Sequence, residues 1–445
     1  MKLKQGMMLL IAGGAVAGAI ALAQAFNEPK YPAAPKGEIT LEYWSWVPKM
    51  EEQAALFTKQ YPNIKVKVVN VGAGQSGTYP KLQTAIKAGT GAPDVAQVEF
   101  GYIPFFASTG GLADLTKYLP SDAKNYFVPW TWSQVSQGKA VYGVPQDQGP
   151  FAMIYRKDIF DKYKIAVPTT WNEYEAAGKK LFEASGGKVK IGNFFSTFAP
   201  WFTALAWANG AQFWKLNTDG SYTQTLNSAA AKQVGNYWGR LLEKKYVSTL
   251  PAFSADFWNA VSKGEVATSM EAAWGTGSFA GSLEKNPGVG AEYRVAPLPQ
   301  WKKGGTASGN WGGSTAVVTT QSKNPEAAAL FAYWLMSSKA SLVQGWKGAG
   351  VFPAASAGLD LPELSDKTSN PSKFFDGQNV AAVYKEAGKG VNTRFQWSPW
   401  APTVDASFQK QMDLAVNGKQ SFAAALDNWQ SETLTKAKAD GYNVR

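Results

Sequence analysis

The chain has 445 residues, too many for one compact core, and its 45% hydrophobic and 17% charged residues are those of a globular protein with about two to three domains' worth of sequence. It contains no Cys and no His, which excludes thiol and imidazole nucleophiles, an imidazole base and thiolate or imidazole zinc sites, and points to no metal and no cofactor. The net charge of +11 is scattered, with nothing longer than pairs such as Lys179-Lys180, Lys244-Lys245 and Lys302-Lys303, so it reads as a solvated surface and not as a nucleic-acid stripe.

Residues 1–25 read as a signal peptide for export. Lys2 and Lys4 form a basic start, Met7 to Leu22 is apolar, and Ala23-Gln24-Ala25 fits an A-x-A cleavage site. An uncleaved anchor is the alternative, since Met7 to Phe26 is about long enough to span a bilayer. Beyond a Pro- and Lys-containing spacer the chain alternates. "ITLEYWSW" (39–46) has strand composition, "PKMEEQAALFTKQYP" (48–62) helical spacing, and "IKVKVVNV" (64–71) period two. "YPKLQTAIKAG" (79–89) reads as a helix and "DVAQVE" (94–99) as a strand, completing the signature of a parallel sheet with right-handed crossovers. Ligands of such sheets bind at the carboxyl ends of the strands, here Trp44 and Trp46, the loop Gly72 to Gly77, and Glu99.

"VYGVPQDQGP" marks a break. A second alternation then begins with the strand "FAMIYR" (151–156) and continues through helices near 171–185, 198–208 and 227–246. "VATSME" (266–271) and "YRVAPLP" (293–299) read as strands, as does "STAVVTT" after the loop "SGNWGGS" (308–314). Asn324 as cap, Pro325 at the first position and Glu326 in the first turn predict a helix start. The C-terminal 70 or so residues read as mostly helical, broken by "NTRFQWSPWAP".

The glycines of "SGNWGGS" do not make a phosphate cradle. Asn310 stands where a Walker loop needs Lys, and a strand follows instead of a helix. Eighteen Trp, as many as Tyr, are an unusual enrichment. Trp238, Trp258, Trp334 and Trp429 fall inside helical patterns and belong to cores, whereas Trp44, Trp46, Trp201, Trp207, Trp274, Trp346, Trp397 and Trp400 mostly stand at element ends or beside Gly and Pro. An aromatic plane beside a carboxylate and an amide suits a sugar, whose C–H face is apolar and whose hydroxyl rim seeks polar partners. The bland alternatives are that Trp311 packs into a core and that each acidic residue is a cap or a surface ion-pair partner.

The ordered set "DVAQVEF", "YGVPQDQGPFAMIYRKDIF" followed by "VPTTWNEY", "GEVATSMEAAWG", "APLPQ", "GNWGGSTAVV" and "NPEAAALFAYWLMS" resembles the family 1 extracellular solute-binding proteins of ABC transporters, the sugar-binding group that includes maltodextrin receptors. The resemblance spans nearly all of the chain after residue 25. It implies an α/β, two-lobed periplasmic-binding-protein fold of type II-like form, with two discontinuous domains joined by a hinge and the ligand in the cleft. The expected division is 38–147 and 299–350 for lobe 1, and 148–298 and 351–445 for lobe 2.

Through the matched motifs the resemblance implies ligand-binding roles for Trp44 and Trp46, for Gln75 beside Gly74, for Glu99, and for Asp147 at the hinge-proximal acidic position. Trp274 matches the family's stacking aromatic, Asn310, Trp311 and Gly312 its glycine-rich contact loop, and Trp201, Arg394 and Trp397 follow on looser matches. The implied protein is not an enzyme. It is an exported receptor, monomeric, that delivers a mono- or oligosaccharide to ABC permease subunits in the membrane. The chain has no Cys for the lipid tether common among relatives from single-membrane bacteria. Two other readings remain at this point: a glycoside hydrolase using two carboxylates such as Glu99 and Asp147, or a receptor for a polyol, a glycerol phosphodiester or a peptide.

Overall fold

A computed structural model describes residues 26–445; the expected export segment lies outside the described residues. No helix among the described residues is long and apolar enough to cross a membrane. The first lobe is built on a five-stranded sheet of β1 (Ile39–Trp44), β2 (Ile64–Val69), β3 (Val95–Glu99), β4 (Val144–Pro145) and, far along the chain, a strand Ser314–Val318. The second lobe holds a three-stranded sheet of β5 (Phe151–Arg156), β6 (Thr268–Ala272) and β7 (Tyr293–Pro297), which makes Ser314–Val318 β8.

Period-two alternation sorts the first sheet into two faces. Leu41, Tyr43, Val95, Ala316 and Val318 join the core under helices Met50–Gln60 and Pro325–Ser337. Trp44, Ala96, Val98 and Val317 form a second cluster with Tyr79, Leu82 and Phe106. Phe57 meets Phe331 edge to face at 5.1 Å, and Phe331 meets Tyr43 at 5.5 Å. Pro325 and Glu326 open their helix as expected, but the Asn324 side chain does not cap it; the Asn324 backbone N–H is held instead by Ser322 Oγ.

Sheet order is β2-β1-β3-β8-β4. The pairings β1–β2 and β1–β3 are parallel, as the alternation predicts, whereas β8 runs antiparallel to both β3 and β4. The reason is topological: β8 is reached from the second lobe and not by a helical crossover from β3. In the second lobe β5 is the centre of an antiparallel trio, Ala152 facing both Glu271 and Pro297. The helices Trp171–Ala184, Ala199–Ala208, Ala229–Glu243, Ala401–Val416 and Phe422–Ala439 complete that lobe. Trp201 and Trp238 lie in its core, ring centroids 5.1 Å apart.

The chain passes between the lobes three times, and the three passes are hydrogen-bonded to one another. Gln146 N–H donates to Ser314 O at 2.8 Å, Trp311 N–H to Gly149 O at 2.8 Å, Phe151 N–H to Gly309 O at 3.1 Å, and Gln148 N–H to Phe352 O at 3.0 Å. The division expected from sequence returns the chain to lobe 1 at residue 299. The hydrogen bonds instead hold residues 300–311 on the second lobe, through Trp171 N–H to Gln300 O and Ser308 N–H to Gly390 O, and the chain joins the first sheet at Ser314. The change of lobe falls at Gly312 and Gly313, whose φ of 68° and 81° lie in the left-handed region that glycine adopts without strain.

Glu271 sits inside β6 with 0% exposure, accepting from Ser269 Oγ, while its Oε2 finds no partner among the described residues. Burial pushes its carboxyl up to about 8 from 4.5, opposed only by the Ser269 hydroxyl. A folded value above the unfolded one means that this group's contribution to stability is full below about pH 4.5 and is lost as pH rises through about 8. Glu271→Gln is therefore expected to change stability little at pH 5 and to stabilise by on the order of 2 kcal/mol at pH 9, read by urea denaturation. An equal effect at both pH values would contradict a buried neutral carboxyl.

Candidate functional site: an acidic, aromatic-walled interlobe cleft

Between the lobes lies a cavity of about 410 Å³, lined from the first lobe by Trp46, Gly74, Gln75, Gln97 and Glu99, from the crossings by Gln146, Asp147, Trp311 and Gly313, and from the second lobe by Phe198, Phe253, Trp274 and Ser278. That volume is in the range of roughly 300–1,000 Å³ usual for small-ligand sites. Glu99 ends β3, and Tyr79 fixes it twice: the Tyr79 hydroxyl donates to Glu99 Oε2 at 2.9 Å and accepts from Glu99 N–H at 2.9 Å. Its Oε1 faces Gly312, where a Cβ would come within 3.1 Å of it. Asp147 belongs to the first crossing, and its Oδ1 accepts from Ser314 N–H at 2.7 Å, so the same carboxylate ties two crossings and borders the cavity.

Gln97 is held by Ser45 Oγ and Trp46 N–H on its oxygen and donates to Ser314 Oγ at 2.9 Å, which fixes the loop carrying Trp46. Among the described residues, none that lines the cavity is Lys or Arg. Burial therefore pushes the Glu99 carboxyl up to about 7, helped by the charges of Asp405 and Asp147 and opposed by Tyr79. Asp147 is likewise raised by burial to about 7, opposed by the Ser314 N–H.

The aromatic wall is a single assembly. Trp311, 1% exposed, stacks on Phe253 at 5.7 Å, meets Trp274 edge to face at 4.7 Å, and touches Phe151 and Phe198 at 5.7 and 5.6 Å. Trp274 Nε1–H donates to the Trp311 carbonyl at 2.9 Å. The indole of the glycine loop thus packs with second-lobe aromatics, while its neighbours Gly312 and Gly313 carry the chain across, so Trp311 does not stand on the first lobe, where the expected division put it. Phe253 is held at φ 58°, a strained conformation for a bulky residue, stored at the cleft wall.

Trp46, Gln75, Glu99, Asp147, Trp274 and Trp311 come together at this cavity. Gly312 and Trp397 line a smaller space of about 40 Å³ beside it, with the Trp397 indole over Gly101 and its Nε1–H donating to Gln134 Oε1 at 2.7 Å. Four expected residues stand elsewhere. Trp44 faces the inner cluster and donates to Glu42 Oε1 at 2.8 Å. Trp201 is fully buried and donates to Met270 O at 3.0 Å. Asn310, 1% exposed, accepts from Gly149 N–H and donates to Gly312 O, so its amide fastens the crossings. Arg394 lines a separate groove with Ser133, Gln137 and Leu216.

Sequence reasoning passed over Phe253, Tyr79, Tyr102 and Asp405. Asp405 accepts from Gln75 Nε2 at 2.8 Å and from the Tyr102 hydroxyl at 2.6 Å, across the cleft from its own helix Ala401–Val416. The available signal was spacing: Asp405, Phe408 and Met412 fall on one helical face, which places a carboxylate on an apolar stripe.

The geometry is that of a known group of proteins. The family model for bacterial extracellular solute-binding proteins matches residues 43–341. An arabinooligosaccharide-binding protein of Bacillus subtilis is 25% identical over 383 residues, covering 83% of this chain and 86% of its own. The ABC transporter associated binding protein of B. animalis subsp. lactis, solved in complex with beta-1,6-galactobiose, superposes with a TM-score of 0.81 at 28% identity, over 91% of this chain and 99% of the other. The galacto-N-biose-/lacto-N-biose I-binding protein of Bifidobacterium longum, solved with lacto-N-biose, gives a TM-score of 0.81 at 27% identity, over 92% and 100%. With its two lobes, three crossings and interlobe cavity, the chain belongs to the bacterial extracellular solute-binding protein family.

Proposed function

We propose that the protein is the substrate-binding receptor of an ABC importer, that it holds a neutral mono- or oligosaccharide between its lobes, and that it presents the closed complex to membrane permease subunits on the outer side of the membrane. The observation that carries this reading is the composition of the cavity: carboxylate and amide acceptors from Glu99, Asp147 and Gln146, aromatic faces from Trp46, Trp274 and Phe253, and no cation among the lining residues, in a chain whose net charge is +11. Gln146 Oε1 is buried without a partner among the described residues, an acceptor waiting for a donor. Such a surface favours a ligand that brings many hydroxyl donors and one apolar face. An anionic phosphodiester or sugar phosphate meets like charge. The named ligands of the similar proteins, an arabinooligosaccharide, beta-1,6-galactobiose and lacto-N-biose, are all saccharides.

Closure follows from the same arrangement. A ligand that touches Glu99 on one lobe and Trp274 on the other has more contacts in the closed state and so shifts the population toward it. Titration followed by tryptophan fluorescence is the test, because Trp46, Trp274 and Trp311 border the cavity. The expected result is a saturable change with at least one neutral saccharide and none with its phosphorylated counterpart. A response confined to the phosphorylated sugar would sink the reading.

A further inference from the structure

The cleft does not end at Gln75. Beyond it lies a second cavity of about 390 Å³, bordered by Tyr79, Gln83 and Phe105 of the first lobe and by Pro200, Pro402 and Gln409 of the second. Gln75, Ser76 and Phe198 line both cavities, so the two are one groove with a partition. Gln75 is held at this boundary by a bridge: its Nε2 and the Tyr102 hydroxyl donate to the same oxygen of Asp405, and Tyr102 and Asp405 border the second cavity and the space of about 40 Å³, not the inner cavity. We propose that this Gln75–Asp405–Tyr102 bridge is a length gate: intact, it confines the bound saccharide to the inner cavity, and a longer chain is held only when the bridge opens and joins the two spaces. The inference rests on the sugar-receptor reading of the cleft and goes beyond it to the size class of the ligand.

Three features make the bridge a gate and not a permanent strut. It contains no cation, so a recessed carboxylate is held by two neutral donors, and burial raises the Asp405 carboxyl to about 6 against their opposing effect. Its Gln75 arm joins a short turn, Gly74–Ser76, to a long helix of the opposite lobe, so a local movement of the turn breaks that arm and frees the boundary while Tyr102 keeps its own bond to Asp405. Each of its members borders open space on at least one side, where a ligand hydroxyl can replace the lost partner. Tyr102 is anchored independently by stacking on Tyr79 at 4.2 Å, which keeps that wall in place when the bridge is open.

The test uses the full chain and three probe series, arabino-, galacto- and malto-oligosaccharides of two to five rings, titrated by calorimetry into the wild type, Asp405→Ala and Tyr102→Phe. The quantity read is the ratio of tetrasaccharide to disaccharide affinity in whichever series binds. In the wild type the ratio is expected below one, and in Asp405→Ala to rise about tenfold, the scale of a lost hydrogen bond to a charged group. Tyr102→Phe keeps the ring and removes one donor, so a smaller rise in the same direction is expected; it also guards against misfolding of the alanine variant. A ratio unchanged in both variants overturns the gate while leaving the receptor intact. Absence of binding to every series overturns the receptor reading and the gate with it.

Discussion

Trp311→Ala is expected to destabilise the protein by about 3–5 kcal/mol and to remove measurable saccharide binding together with it. The indole is 1% exposed and touches Phe151, Phe198, Phe253 and Trp274, so its loss leaves a void that four aromatic side chains must fill or tolerate. Of these, Phe253 is held at positive φ and Trp274 is fixed by the Trp311 carbonyl, and neither can rotate freely into the space. The cavity wall is therefore part of the core, and is expected to serve as binding surface as well. Urea denaturation and fluorescence titration of the same variant check this. A change below about 1 kcal/mol with binding lost would make Trp311 a pure contact residue, and the packing argument would be wrong.

Gly149→Ala is expected to lower affinity more than tenfold and to reduce the melting temperature, although it adds a single methyl. An added Cβ would stand 1.9 Å from the Trp311 carbonyl oxygen and 3.1 Å from Ala272 Cβ. That oxygen is backbone and already accepts from Trp274, so relief requires the first and second crossings to separate. Gly281, in the exposed part of helix Gly275–Leu283, is the control: nothing lies within 4 Å of its added Cβ, and Gly281→Ala is expected to be neutral or slightly stabilising. Equal behaviour of the two variants in thermal melts and titrations would contradict the close-packed crossing.

Strand and helix positions were legible because β1 has strand composition, β2 alternates with period two, β3 is a short run with strand composition, and the intervening helices have Pro, Gly and acidic boundaries. Strand direction in the second sheet and at β8 was not, since direction depends on which lobe the chain comes from and no local pattern records that. The loop "SGNWGGS" was legible as a place of close backbone approach, but not the division of labour within it: Asn310 fastens the crossings, Trp311 packs, and Gly312 and Gly313 turn. Trp44 and Trp46 show the limit for strand ends. Two residues apart, they share a face only while the strand lasts; after Trp44 the extended run stops, and Trp46 goes to the cavity while Trp44 stays in the core. The position of Asp405 on an apolar helical stripe was legible, but its pairing was not, because Gln75 and Tyr102 stand 330 and 303 residues away in sequence.

In the proposed receptor a neutral saccharide is held in the interlobe cavity by Glu99, Asp147 and the Trp274 wall. Isothermal titration calorimetry of the wild type and Trp274→Ala against a panel of neutral mono- and disaccharides tests it most directly. Saturable one-to-one binding of at least one of them with a negative heat-capacity change is expected, and an affinity at least tenfold weaker in the variant. Saturable binding that Trp274→Ala leaves unchanged, or no binding to any sugar of the panel, would contradict it.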